Sequence, residues 1–259
     1  MGRVRLVEAA GRLRRSTRPR YRLRLAAAEL AAALRTAQAW LAPAHSLSIM
    51  PLGDSNTLGS RGAGDRGIGG YRTWLWRQLE ADGVRVDFVG SLRDGPPTIA
   101  RDHEGHSGWR IDQLDRLVRL WLAAFRPDIV LLDAGRNDLI QGASVETAVR
   151  RMARLLEHLA TARPAALVLV ASLVGARAPN DYGLCPAAIE AFNGRLAVLV
   201  ARQAAAGRNT QLVDLHVGAA LAAGGLSADG LHPNDNGYRK MAASTSDCVR
   251  LPRCSRRTS

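Results

Sequence analysis

The chain has 259 residues, 47% of them hydrophobic and 23% charged, a globular composition long enough for one large core. No stretch reaches the roughly 18–20 uninterrupted apolar residues of a membrane-spanning helix. The formal charge is +13, but residues 1–44 carry ten Arg against two Glu and residues 241–259 carry four Arg against one Asp. Only +2 is left for residues 45–240, which argues against a domain built to bind nucleic acid. The basic ends read as solvated tails, with an anionic partner as the alternative.

The organisation follows from this: an Arg-rich extension over 1–44, a globular domain over 45–243 and a basic tail over 244–259. In the extension, an Ala/Leu stretch (25–34) and Ala42-Pro43-Ala44 resemble a secretory leader. Glu29 interrupts the apolar region, however, so it makes a poor signal. An amphipathic Arg-rich helix and an over-extended start codon are the other readings. The compartment is secretory if the segment is processed and cytoplasmic otherwise, and the oligomeric state is open. Of the three cysteines, Cys185 stands alone, while Cys248 and Cys254 could pair in an oxidising compartment. No CxxC or Cys/His spacing points to structural zinc.

From His45 onward, apolar runs alternate with amphipathic stretches. Leu47–Leu52 is a short strand ending at Gly53, Tyr71–Ala81 a helix and Val84–Val89 an alternating strand. Ile111, Leu114, Val118, Trp121 and Phe125 recur at helical spacing, and Ile129–Leu132 is a continuous apolar strand. A helix through Val145 and Leu159, a strand at Leu167–Val170, a helix at Ile189–Val200 and a short strand at Leu212–Val213 follow. Pro233 is expected to open a last helix that stops early, because residues after Met241 turn to Ser, Thr and Asp without apolar periodicity. The alternation predicts an α/β fold with a parallel sheet covered on both faces.

Four separated blocks carry the chemistry. Gly53-Asp54-Ser55-Asn56 follows the first strand, where a glycine turn can hold a serine exposed. Gly105-His106-Ser107-Gly108-Trp109 precedes a helix, and its backbone N–H groups are free to meet an anion. Gly135-Arg136-Asn137-Asp138 offers the Asn137 amide beside a strand end. In Asp229-Gly230-Leu231-His232-Pro233, an Asp and a His three apart at a helix start can share one face. Each alone is more often a turn or a cap. Together they supply a nucleophile (Ser55), a base (His232), an orienting carboxylate (Asp229) and oxyanion donors (Ser55 and Gly108 N–H, Asn137 amide), which is what acyl transfer requires.

The order GDSN, SGW, GxND, DxxH resembles the SGNH hydrolases, also called GDSL esterases, over roughly residues 47–240. The strings MPLGDSNTLG, GGYRTWLWRQL, VDFVGS, HEGHSGWRIDQL and DGLHPNDNGY are similar to the branch of acetyl xylan esterases and related carbohydrate esterases. The resemblance implies a three-layer α/β/α sandwich around a flavodoxin-like parallel sheet of about five strands. It also implies a serine esterase that needs no cofactor or metal and acts on short acyl, chiefly acetyl, groups of a small-molecule or polysaccharide ester. Asp54, Trp109 and Arg136 are candidate substrate contacts. Arg136 stands where Thr is common in the family, and Asp133 lies just upstream. Trp109 could stack on a sugar ring. His103, Glu104 and His106 read as polar loop residues beside the site and not as metal ligands. A lipid acylhydrolase such as a lysophospholipase or thioesterase, and a sugar O-acyltransferase, share the same triad. The Gly/Arg-rich loop Ser60–Gly70 argues mildly against a lipid groove, and the intact triad argues against a binding module that has lost catalysis.

Overall fold

The computed structural model describes residues 46–62, 69–218 and 224–250. The expected 1–44 extension, the tail beyond Arg250 with Cys254, and the centre of the Ser60–Gly70 loop lie outside the described residues. The strands are β1 (Leu47–Gly53), β2 (Val86–Phe88), β3 (Leu92–Arg93), β4 (Asp102–Gly105), β5 (Ile129–Asp133), β6 (Leu167–Ala171) and β7 (Thr210–Val213). β1 pairs in parallel with β5, β5 with β6 and β6 with β7. On its other side, β1 holds β2 along its first half (Leu47↔Val86) and β4 at its end (Gly53↔Gly105), both in parallel. β3 adds antiparallel to β4.

The helices among the described residues are α1 (Ser55–Leu58), α2 (Gly70–Ala81), α3 (Ile111–Phe125), α4 (Arg136–Ile140), α5 (Val145–Ala162), α6 (Pro186–Ala205), α7 (Leu215–Gly218) and α8 (Asp235–Arg250). The central strands are apolar throughout because helices cover both sheet faces. Met50, Leu52, Val130, Leu132, Val168 and Val170 pack with Leu114 and Val118 of α3, Met152 and Leu156 of α5 and Phe192 of α6. The alternate residues Ile49, Ile129, Leu131, Leu167 and Leu169 pack with Leu75 and Leu79 of α2 and Tyr238 and Met241 of α8. This is the three-layer sandwich the sequence implies. Among the described residues, no helix is long and apolar enough to cross a membrane.

Three expectations need correction. The last helix does not stop near Met241 but runs to Arg250, burying Ala242, Thr245, Ser246 and Val249 at i, i+3, i+4 and i+7. Beyond Met241 its buried face is made of Ala242, Thr245, Ser246 and Val249, mostly small or hydroxyl residues. Thr245 Oγ1 donates to the Met241 carbonyl and Ser246 Oγ to that of Ala243, so the polar groups are satisfied within the helix. The helix also begins after Pro233, at Asp235, where the Asn234 side chain accepts from the Gly237 N–H as a cap. Finally, residues 102–105 form β4 and not a loop, with His103 and Glu104 fully buried.

Candidate active site

β1 and β5 are adjacent at the point where the strand order reverses, and ligands of open parallel sheets bind beyond the carboxyl ends of such strands. Ser55 follows β1 and Asn137 follows β5. Gly53 is required at the end of β1, because a Cβ there would lie 2.1 Å from the Asp133 carbonyl oxygen and 2.5 Å from Thr57 Oγ1. Asp54 caps α1 by accepting from the Asn56 N–H at 3.0 Å, which leaves Ser55 on the first helical turn.

Ser55 Oγ lies 2.9 Å from His232 Nε2, and His232 Nδ1 lies 2.6 Å from Asp229 Oδ2. The other Asp229 oxygen accepts from the Leu231 and His232 N–H groups, both at 3.0 Å. Burial pushes the Asp229 carboxyl up, but these two N–H groups and the imidazole outweigh it and hold the acid below its ordinary range. Asp229 and His232 sit on a turn ahead of α8, not on one face of a helix. Gly230 makes that turn with φ +71°.

Gly108, with φ +79°, forms a second turn. It is tied to β1 by the His106 N–H donating to the Gly53 carbonyl at 2.9 Å and closed by Trp109 N–H to the His106 carbonyl at 3.1 Å. Gln141 Nε2 donates to the Gly108 carbonyl at 2.8 Å, which fixes the peptide plane. The Asn137 amide donates to the Trp109 carbonyl at 3.1 Å and approaches Asp54 Oδ2 at 3.4 Å. Ser55, Gly108, Asn137 and His232 all line one open cleft of about 530 Å³.

Arg136 and Trp109 also line this cleft, but each has other work. The Arg136 side chain is 1% exposed, and its guanidinium donates to the Leu231 carbonyl at 3.3 Å and the Val174 carbonyl at 3.1 Å. It therefore joins the start of α4, which carries Asn137, to the turn carrying His232. Asp54 is not a substrate contact: it is fully buried behind Ser55 and absent from the cleft wall. Burial raises its pKa against the pull of Arg136, and burial next to Asp54 pushes Asp133 up to about 7.

One face of Trp109 is already occupied. His106 stacks on it at 4.1 Å and on Trp121 at 5.1 Å, while His106 Nε2 meets Glu104 Oε2 at 3.0 Å. Glu104 also accepts from the Ser91 hydroxyl at 3.0 Å. Glu104 and His106 thus brace the Gly108 turn. His103 turns inward, accepts from the Gly105 N–H at 2.9 Å, and is pushed down to about 3 by burial and nearby Arg72. Tyr182, on the loop after β6, lines the cleft and packs edge-to-face against the His232 ring, with centroids 5.6 Å apart; nothing in its sequence neighbourhood signals that position.

The sheet order and the placement of these groups define an α/β sandwich with a serine–histidine–aspartate hydrogen-bond chain beside a cleft. Residues 52–240 match the family described as GDSL-like lipase/acylhydrolase, and the chain belongs to it: the domain is a carboxylic ester hydrolase of the GDSL type. It is similar to a family 3 carbohydrate esterase of Clostridium thermocellum, with 32% identity and a TM-score of 0.69, covering 82% of this chain and 99% of that one. It is also similar to a carbohydrate esterase family 3 structure from Talaromyces cellulolyticus, with 28% identity and a TM-score of 0.68, covering 80% of this chain and 98% of that one. A multidomain esterase of Ruminococcus flavefaciens is 28% identical over 221 residues, which are 76% of this chain. The match covers only 28% of that relative's length.

Proposed function

We propose that the chain is a serine esterase removing short acyl groups, chiefly acetyl, from O-acylated carbohydrate. The observation that carries this reading is the unbroken chain from Ser55 Oγ through His232 to Asp229, opening on the same cleft as Gly108 and Asn137. The carbohydrate side rests on the similarity to the two family 3 carbohydrate esterases over nearly their whole length.

In the proposed reaction, His232 Nε2 takes the Ser55 hydroxyl proton as Ser55 Oγ bonds to the ester carbonyl carbon. Asp229 holds the imidazole in the tautomer that leaves Nε2 free, and balances the charge that imidazole gains. The oxyanion accepts from the Ser55 and Gly108 N–H groups and from the Asn137 amide. His232 then protonates the leaving alcohol, the carbon–oxygen bond breaks, and water deprotonated by His232 releases the acid from the acyl-enzyme. Residues 45–243 would be the catalytic domain, extended by the rest of α8 to Arg250.

The test is a hydrolysis panel of p-nitrophenyl acetate through palmitate, with acetylated xylan. Expected are highest turnover on acetate, acetate release from the polysaccharide, and a folded but inactive Ser55→Ala variant. A preference for long chains would move the enzyme to lipids. Transfer to an added sugar outrunning hydrolysis would make it an acyltransferase. Activity retained in Ser55→Ala would remove the nucleophile.

A further inference from the structure

We infer that Tyr182 is the platform for the alcohol half of the substrate, the ring against which the sugar bearing the acyl group lies. This deepens the esterase reading above and rests on it. The argument begins with where the two halves of an ester must go. With the acyl carbon bonded to Ser55 Oγ, the carbonyl oxygen points to Gly108 and Asn137. The leaving oxygen must come within hydrogen-bond reach of His232 Nε2, since that nitrogen returns the proton. The alcohol therefore occupies the part of the cleft that borders the imidazole.

The aromatic ring at that border is Tyr182. Its centroid lies 5.6 Å from that of His232 at an interplanar angle of 74°, and the residue is half-buried in the cleft wall. Pyranose rings have apolar faces edged by hydroxyls, and a tyrosine at a wet rim offers an apolar surface with a polar tip. Trp109 is on the oxyanion side and already has one face against His106.

The loop carrying Tyr182 is built to hold it there. The Asn180 side chain accepts from the Tyr182 N–H at 3.2 Å and the Leu184 N–H at 3.1 Å, and donates to the Arg177 and Leu184 carbonyls, both at 2.8 Å. The loop is fastened to the turn that carries the base: the Arg177 N–H donates to the Gly230 carbonyl at 2.8 Å and the Asp181 N–H to the Asp229 carbonyl at 3.2 Å. Arg177 also donates from its guanidinium to the Ala228 carbonyl at 2.6 Å. Gly230 permits this approach; a Cβ there would stand 3.2 Å from Asn180 Cβ. Platform and base are thus one rigid unit, so a sugar placed on Tyr182 is placed relative to Nε2.

The experiment compares kcat/KM on acetylated xylo-oligosaccharide with kcat/KM on ethyl acetate, whose alcohol is too short to cover the ring. The ratio for Tyr182→Ala should fall about fivefold to tenfold below wild type, mainly through KM for the sugar ester. Tyr182→Phe should keep most of the ratio, and Tyr182→Leu should fall like Ala, which serves if the alanine variant does not fold. An unchanged ratio in both truncated variants would overturn the Tyr182 assignment alone, as would equal slowing on both esters, which marks a group that only orients His232. A wild type active on ethyl acetate and inert on the sugar ester would remove the carbohydrate reading, and this inference with it.

Discussion

Removing the buried guanidinium of Arg136 tests how the site is held together. Arg136→Met keeps the length of the side chain and deletes its charge and its donors to the Leu231 and Val174 carbonyls. Behind it lie Asp54 and Asp133, both buried, and Asp133 Oδ2 has no hydrogen-bond partner among the described residues. The Asp133 carboxyl is pushed up to about 7 by burial and by Asp54, against the pull of Arg136. A raised carboxylate pKa costs stability only when the group must ionise. The cost is absent below the unfolded value near ~3.9, grows as pH rises, and is complete above the folded value. Without Arg136, the folded value moves higher and the cost keeps growing past pH 7. At pH 5.5, where Asp133 is protonated in both folded proteins, the variant should lose its two hydrogen bonds and the pull of Arg136 on Asp54, about 1–3 kcal/mol. By pH 8.5, the deficit should widen by about 1–2 kcal/mol, and toward the ~3–5 kcal/mol typical of a broken buried pair. Urea unfolding at the two pH values measures both. Adding Asp133→Asn to the variant should remove most of the widening. A deficit equal at the two pH values, or unaltered widening in the double variant, would refute the argument.

Three further outcomes are expected. Asn137→Ala should lower kcat by roughly 10² with little change in KM, and Asn137→Asp should be worse because it places an acceptor against the oxyanion; equal kcat on folded protein would leave a hole of two backbone donors. Gly135→Ala should destabilise by about 1–3 kcal/mol in thermal or urea unfolding, since Gly135 has φ +128° and a Cβ would stand 2.7 Å from Phe192 Cζ. His106→Ala removes the ring between Trp109 and Trp121 and should lower kcat about tenfold on p-nitrophenyl acetate by loosening the Gly108 turn; wild-type kcat would separate the stack from the oxyanion donors.

The parts of the fold that were legible are those whose cause is local. Parallel strands buried on both faces must be continuously apolar, so Ile129–Leu132 and Leu167–Val170 could be read directly, and the amphipathic helices between them likewise. The four polar blocks were legible because each interrupts that pattern at a strand end or beside a helix start. What was lost depends on partners distant in sequence. β4 reads Asp-His-Glu-Gly and has no hydrophobic signal, yet His103 and Glu104 are buried because Arg72, Ser91 and His106 surround or satisfy them. The face of α8 was missed because hydroxyls there bond back to the helix's own carbonyls. Asp54 adjoins Ser55 in sequence, yet its side chain is buried away from the cleft, while Arg136 lines the cleft and spends its guanidinium on the Leu231 and Val174 carbonyls.

That last point bears on how the site is built. Arg136 bonds to the carbonyl of Leu231, one residue before His232, and the Tyr182 loop bonds to the carbonyls of Asp229 and Gly230. The turn with His232 is therefore gripped through its backbone from two sides, while the His232 ring reaches Ser55. The two-residue Gly–Leu spacer between Asp229 and His232 has no regular secondary structure to stiffen it, and a hydrogen-bonded relay tolerates errors of only about half an ångström. Beyond the Asp229 bonds to the Leu231 and His232 N–H groups, the stiffness comes from neighbours. Substitutions at Arg136, Arg177 or Asn180 should therefore weaken turnover although none touches the reacting ester oxygen. Their effect should appear in kcat while KM for ethyl acetate stays close to wild type; a rise in KM alone would mean that the grip serves binding and not the relay.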